Sequence, residues 1–85
     1  MELQIMIGHV LREHRFALGL TLRNVADLAH ISYSYLSEVE RGKKPISSDA
    51  IWSLSQALGV PLSVMLTEVS DLLAAFEEGA SFATA

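Results

Sequence analysis

Residues 32–38 concentrate the side chains best suited to reading another molecule: Ser32, Tyr33, Ser34, Ser37 and Glu38 lie within seven positions, with the apolar Leu36 and Val39 set among and just after them. In a helix, Ser34, Ser37 and Glu38 share a face at steps of three and four, and Leu36 and Val39 fall on another. A hydroxyl both donates and accepts a hydrogen bond, and a carboxylate accepts one from the amino group of cytosine. That is the chemistry needed to tell base-pair edges apart in a DNA major groove. Cations flank the segment, Arg23 before it and Lys43 and Lys44 after it. Together with the Tyr35 hydroxyl they are candidates for phosphate contacts, which position a protein on a duplex without reading its sequence. A helix face that merely meets water has the same composition, so the surrounding elements must decide.

Other chemistries find no footing. The chain has no cysteine, which excludes disulfides and thiolate metal sites and gives no sign of an oxidising compartment. His9 and His14 are five apart and diverge on a helix, and His30 stands alone, so no metal site is expected. There is no glycine-rich phosphate loop and no nucleophile motif, so neither an enzyme, a cofactor nor a small-molecule ligand is expected.

The elements that must carry the polar residues are helical. Leu3, Ile7, Val10, Leu11 and Leu18 predict a first helix over 3–18, ended by Gly19. Thr21 caps a second over 22–29, with Val25, Ala26, Leu28 and Ala29 facing inward, before a break at His30-Ile31-Ser32. Ser32 caps a third over 33–41, held by Leu36 and Val39 and stopped by Gly42 and the Lys43-Lys44-Pro45 turn. Ser47 or Ser48 opens a fourth, with Asp49 near its positive end and Ile51, Leu54, Ala57 and Leu58 on one face, and Gly59 stops it. A turn at Val60-Pro61-Leu62-Ser63 leads into a fifth that runs to about Glu78. Without strand alternation or repeats, the fold class is all-α, a compact five-helix bundle with an extended C-terminal helix.

Within that bundle, residues 22–41 form two short helices joined by a tight turn. Ala26 lets them approach, Val25 and Ile31 supply core contacts, and the second helix stays free to enter a major groove. The net charge of −4 opposes nucleic acid if taken whole. Yet all six basic residues, Arg12, Arg15, Arg23, Arg41, Lys43 and Lys44, precede Pro45, and the rest of the chain carries Asp49, Glu68, Asp71, Glu77 and Glu78 with no base. A local basic face on an acidic protein and plain surface scatter both fit that distribution.

The mean hydropathy of +0.35 is high for so short a chain and points to self-association. Leu62, Met65, Leu66, Val69, Leu72, Leu73 and Phe76 recur at three- and four-residue steps along the last helix, a stripe that either folds back on its own domain or pairs with a second copy. The second reading assigns Met65, Leu66, Val69, Leu72, Leu73 and Phe76 to a dimer interface. Trp52 belongs to the core or to an interface. The expected organisation is a domain over 1–66, a C-terminal helix over 61–78 for dimerisation and a flexible tail over 79–85. The acidic start and the lack of a long apolar run suit a cytoplasmic protein.

Leu11-Arg12 and Arg15, Gly19-Leu20-Thr21, Val25-Ala26, Ser32, Tyr35-Leu36-Ser37, Val39-Glu40-Arg41-Gly42-Lys43 and Leu58-Gly59-Val60-Pro61-Leu62 stand in an order and spacing that resemble the lambda-repressor-like, xenobiotic-response-element type of helix-turn-helix regulators, over about Ile7 to Leu66. Within that family, the stretch from Tyr35 to Gly42 together with Leu58 to Leu62 looks most like the actinobacterial regulators of Clp protease genes. The resemblance implies a double-stranded DNA partner, an ion pair between Arg15 and Glu40 that braces the first helix against the third, and regulation of transcription, including activation of Clp genes; RNA polymerase is a further candidate partner. The chain departs from the family where glutamine is frequent, at Leu22, and where glycine is frequent, at His30. Leu22 and the net acidity favour another class, a helix-turn-helix used for protein association, as in an antitoxin-like or adaptor subunit. The basic turn and the hydroxyl-rich third helix favour DNA.

Overall fold

A computed structural model describes residues 2–84, and side chains over 3–79. Among the described residues the chain forms five helices: α1 (Glu2–Ala17), α2 (Leu22–Ala29), α3 (Tyr33–Glu40), α4 (Ser48–Leu58) and α5 (Leu62–Thr84). The starts of the three middle helices are set by side chains. Thr21 accepts the N–H of Asn24 while the Asn24 amide oxygen accepts the N–H of Thr21, both at 3.0 Å. Ser32 and Ser47 each accept an N–H three residues on. Each bond satisfies a donor that the first helical turn leaves open.

The ends of α1 to α4 share one device. At each, one residue at the helix end donates to a carbonyl three back and the next residue to a carbonyl five back, as with Gly19 to Phe16 at 2.9 Å and Leu20 to Arg15 at 3.2 Å. This closure needs a left-handed residue. Gly19, Gly42 and Gly59 supply it at φ +67°, +70° and +68°, and His30 supplies it at φ +58° with a side chain attached. The departure at His30 is therefore taken up by a left-handed backbone, and the turn keeps its form.

The core joins Val10 and Leu11 of α1, Val25, Ala26 and Ala29 of α2, Leu36 and Val39 of α3, Leu54 and Leu58 of α4, and Met65 and Val69 of α5. α1 packs on α3 and α5, α2 on α3 and α4, and α4 on α5. Gly8 makes the approach of α1 to α3 possible, because a Cβ there would stand 2.5 Å from the Glu40 carbonyl oxygen and 2.6 Å from that of Val39. The ring of His14 and Glu68 lie 2.6 Å apart, joining α1 to α5.

Several expectations need correction. α1 ends at Ala17, and Leu18, like Leu28, is more than half exposed. Trp52 is 57% exposed on the outer side of α4, so it is no part of the core. α5 continues through Gly79 to Thr84, where a stop was expected. Gly79 does not take the left-handed conformation that ends the other helices, and a lone glycine inside a helix costs only about 1 kcal/mol relative to alanine. Of the expected tail, Ala85 and the side chains from Ala80 onward lie outside the described residues. No single helix among the described residues is long and apolar enough to cross a membrane.

Candidate nucleic-acid interface

α3 is anchored by its inner side and open on its outer one. Leu36 and Val39 are sealed in the core, whereas Ser32, Tyr33 and Ser34 are exposed and Ser37 and Glu38 partly so. The hydroxyl-rich face thus stands proud of the body on the second helix of the motif, as major-groove entry requires. The five residues are not equivalent. The Ser32 oxygen accepts the Tyr35 N–H at 3.1 Å, so this residue is a helix cap first and keeps its hydroxyl proton and one lone pair for a ligand. Glu38 lies 3.8 Å from the ammonium of Lys44. Tyr33, Ser34 and Ser37 donate or accept no side-chain hydrogen bond within the described residues, leaving their hydroxyls open.

The cations gather around this face. The Arg23 guanidinium carbon lies 4.9 Å from the centre of the Tyr33 ring, within cation–π range, and no carboxylate among the described residues pairs with it. Lys43 is exposed with no carboxylate within 4 Å among the described residues, and Lys44 sits 5.8 Å from the Tyr35 ring as well as beside Glu38. The Tyr35 hydroxyl accepts the Ser47 N–H at 3.0 Å, which pins the loop carrying both lysines against α3. Its first task is therefore to hold that loop, with its own proton left for a phosphate.

Beneath the face, Arg15 and Glu40 form a two-pronged pair, Nε to Oε2 and Nη2 to Oε1, both at 2.8 Å. Nη1 of Arg15 reaches the Leu20 carbonyl oxygen at 3.0 Å. Bonding to Glu40 raises the affinity of the guanidinium for its proton further, against the opposing effect of burial. The pair ties α1 to the end of α3 and to the loop before α2, so it fixes how α3 is presented. Leu22 is half-buried against the core and offers no polar group to a ligand. No group of three or more metal-ligating side chains occurs among the described residues.

The apolar stripe of α5 divides in two. Met65 and Val69 are buried in the protomer's own core and are not available to a partner, which corrects their assignment to an interface. Leu66, Leu72 and Phe76 are exposed and Leu73 partly so. Leu72, Leu73 and Phe76 continue the line of Met65 and Val69 beyond the point where the body covers it. The 23-residue helix is about 34 Å long at 1.5 Å per residue, and the chain as a whole extends 46 Å along its long axis and 23 Å across the others. Sequence reasoning missed Gly8, the His14–Glu68 link and the contact of Arg23 with the Tyr33 ring. Only the glycine on an otherwise apolar helix face gave a signal, since the other two depend on how helices cross.

A helix with an open polar face on a tight turn, braced from behind and flanked by cations, defines the helix-turn-helix class. A helix-turn-helix family model matches residues 11–65, and the chain belongs to this family in its lambda-repressor-like, xenobiotic-response-element branch, whose members are transcriptional regulators and not enzymes. Within it, the chain is related to ClgR. It is 45% identical over 69 residues to the transcriptional regulator ClgR of Mycobacterium tuberculosis, a match covering 81% of this chain and 62% of that protein. The chain thus spans about three fifths of the length of that relative. The crystal structure of the clp gene regulator ClgR from Corynebacterium glutamicum superposes with a TM-score of 0.85 at 35% identity, covering 96% of this chain and 87% of that one. The restriction-modification controller protein C.AhdI from Aeromonas hydrophila gives 0.71 at 34% identity over 73% of this chain and 94% of its own.

Proposed function

We propose that this chain binds a specific duplex DNA site as a homodimer and regulates transcription from it, with Clp protease genes as the target and activation as the outcome. The observation that carries the DNA reading is the outer face of α3, where Tyr33, Ser34 and Ser37 are open between Arg23 on one side and Lys43 on the other. Tyr33, Ser34 and Ser37 read bases, with Ser32 and Glu38 at the edges of the same surface. Arg23, Lys43, Lys44 and Tyr35 hold phosphates. The dimer reading rests on the uncovered end of the α5 stripe, Leu72, Leu73 and Phe76 with Leu66, which a second copy would bury. A two-fold pair would present its α3 helices to half-sites of a near-palindromic operator about 34 Å apart. The Clp reading rests on the likeness to the clp gene regulator ClgR of Corynebacterium glutamicum, and activation adds contact with RNA polymerase. The setting is the bacterial cytoplasm, at the nucleoid when bound.

Titration against genomic fragments at two salt concentrations tests the reading. Retardation should be confined to a few fragments and should weaken steeply as salt rises, because phosphate contacts release counterions. If no fragment is retarded even at low salt, the regulator reading falls and a protein-association role takes its place.

A further inference from the structure

The two lysines of the loop after α3 are in different electrostatic states. Lys43 faces solvent with no carboxylate within 4 Å among the described residues. Lys44 is held, its ammonium 3.8 Å from Oε1 of Glu38 and 5.8 Å from the centre of the Tyr35 ring. The loop backbone is fixed beside α3, because the Ser47 N–H is bonded to the Tyr35 hydroxyl and the Lys43 N–H to the Glu38 carbonyl oxygen, so only the half-exposed Lys44 side chain swings between partners. Glu38 in turn lies one helical turn after Ser34, on the side of α3 that approaches bases. A carboxylate on a surface that meets phosphates is repelled unless a cation neutralises it or the duplex offers it a donor.

We propose that Glu38 and Lys44 act as an exchange pair that makes one phosphate contact depend on base sequence. In the free protein Glu38 stands in for the phosphate and occupies Lys44. On a site that places a cytosine or adenine amino group beside Glu38, the carboxylate accepts from that group and Lys44 passes to the DNA backbone. On any other sequence, moving Lys44 to a phosphate leaves a carboxylate unpaired against the duplex, so Lys44 stays on Glu38 and the contact is not made. Glu38 is then a specificity-determining residue that works chiefly by suppressing binding to wrong DNA, beside whatever it gains on the right one. This rests on the DNA-binding reading above.

The test uses the full chain and two duplexes of equal length, one selected by the wild-type protein from a random pool and one of scrambled sequence. Glu38→Gln should bind the scrambled duplex about two- to fivefold more tightly, the range of an exposed ion pair. The slope of log affinity against log salt on that duplex should steepen by about one, the value of one added phosphate contact. The selected duplex should gain less, so that discrimination falls. In a Lys44→Ala background, Glu38→Gln should leave the salt slope on scrambled DNA unchanged. Both side chains are about half exposed, so folding is not at stake. Selective wild-type binding with an unchanged scrambled-DNA slope in Glu38→Gln would overturn the exchange pair alone. The same holds if the steepening persists without Lys44. Failure of the wild type to bind any duplex would overturn the DNA reading and this one with it.

Discussion

Replacing Glu40 by alanine should be the most damaging single change that leaves the apolar core intact. Its side chain is 4% exposed and that of Arg15 11%, and Arg15 spends two of its donors on the carboxylate at 2.8 Å. Alanine would leave a mostly buried guanidinium with only the Leu20 carbonyl oxygen still bonded to it. Removing one partner of a buried pair costs about 3–5 kcal/mol, most of it the uncompensated charge and not the lost attraction. That is a large share of the roughly 5–15 kcal/mol that holds a domain together. For a chain of this size each kcal/mol moves the melting temperature by about 4–8 °C, so Glu40→Ala should melt at least roughly 12 °C lower, followed by circular dichroism at 222 nm. The double replacement Arg15→Met with Glu40→Leu removes the charge along with its partner and should recover most of that loss. A fall of under about 4 °C in Glu40→Ala would show that water or another group takes over the guanidinium, and the bracing role assigned to the pair would be wrong.

His30→Gly should stabilise the domain by about 1 kcal/mol in denaturant titrations. A left-handed residue with a Cβ costs about 1–2 kcal/mol, of which glycine's greater freedom in the unfolded chain returns part. Gly8→Ala should do the opposite of what alanine does in an exposed helix and destabilise by about 2 kcal/mol in the same titrations, since the Cβ would meet backbone oxygens that have no room to swing away. Leu72→Glu with Phe76→Glu should convert dimers to monomers in sedimentation equilibrium at an unchanged melting profile at high dilution. A dimer mass that survives both charges would move the interface off α5.

The helices were legible in the sequence because their ends are local chemistry. Thr21, Ser32 and Ser47 cap, and Gly19, Gly42 and Gly59 close, using only neighbouring backbone groups. The open face of α3 was legible for a similar reason, since Leu36 and Val39 fix which way a short helix turns. What failed depends on distant partners. Periodicity marks the α5 stripe as apolar but gives no sign that the body covers Met65 and Val69 and stops short of Leu72 and Phe76. The same blindness placed Leu28 inside and left Trp52 between the core and an interface. The contact of His14 with Glu68 needs the crossing of α1 and α5, and that of Glu38 with Lys44 the path of the loop after α3, before their residues can be matched.

Central to the proposed function is that the outer face of α3 reads sequence while Arg23 and Lys43 only hold the duplex. The direct measurement is the affinity of Tyr33→Ala, Ser37→Ala and Lys43→Ala for a selected duplex and a scrambled one, at fixed salt. Tyr33→Ala and Ser37→Ala should weaken the selected duplex by about 1–3 kcal/mol and leave the scrambled one nearly untouched, and Lys43→Ala should weaken both alike and flatten the salt slope by about one. Equal losses on both duplexes for all three variants would contradict it.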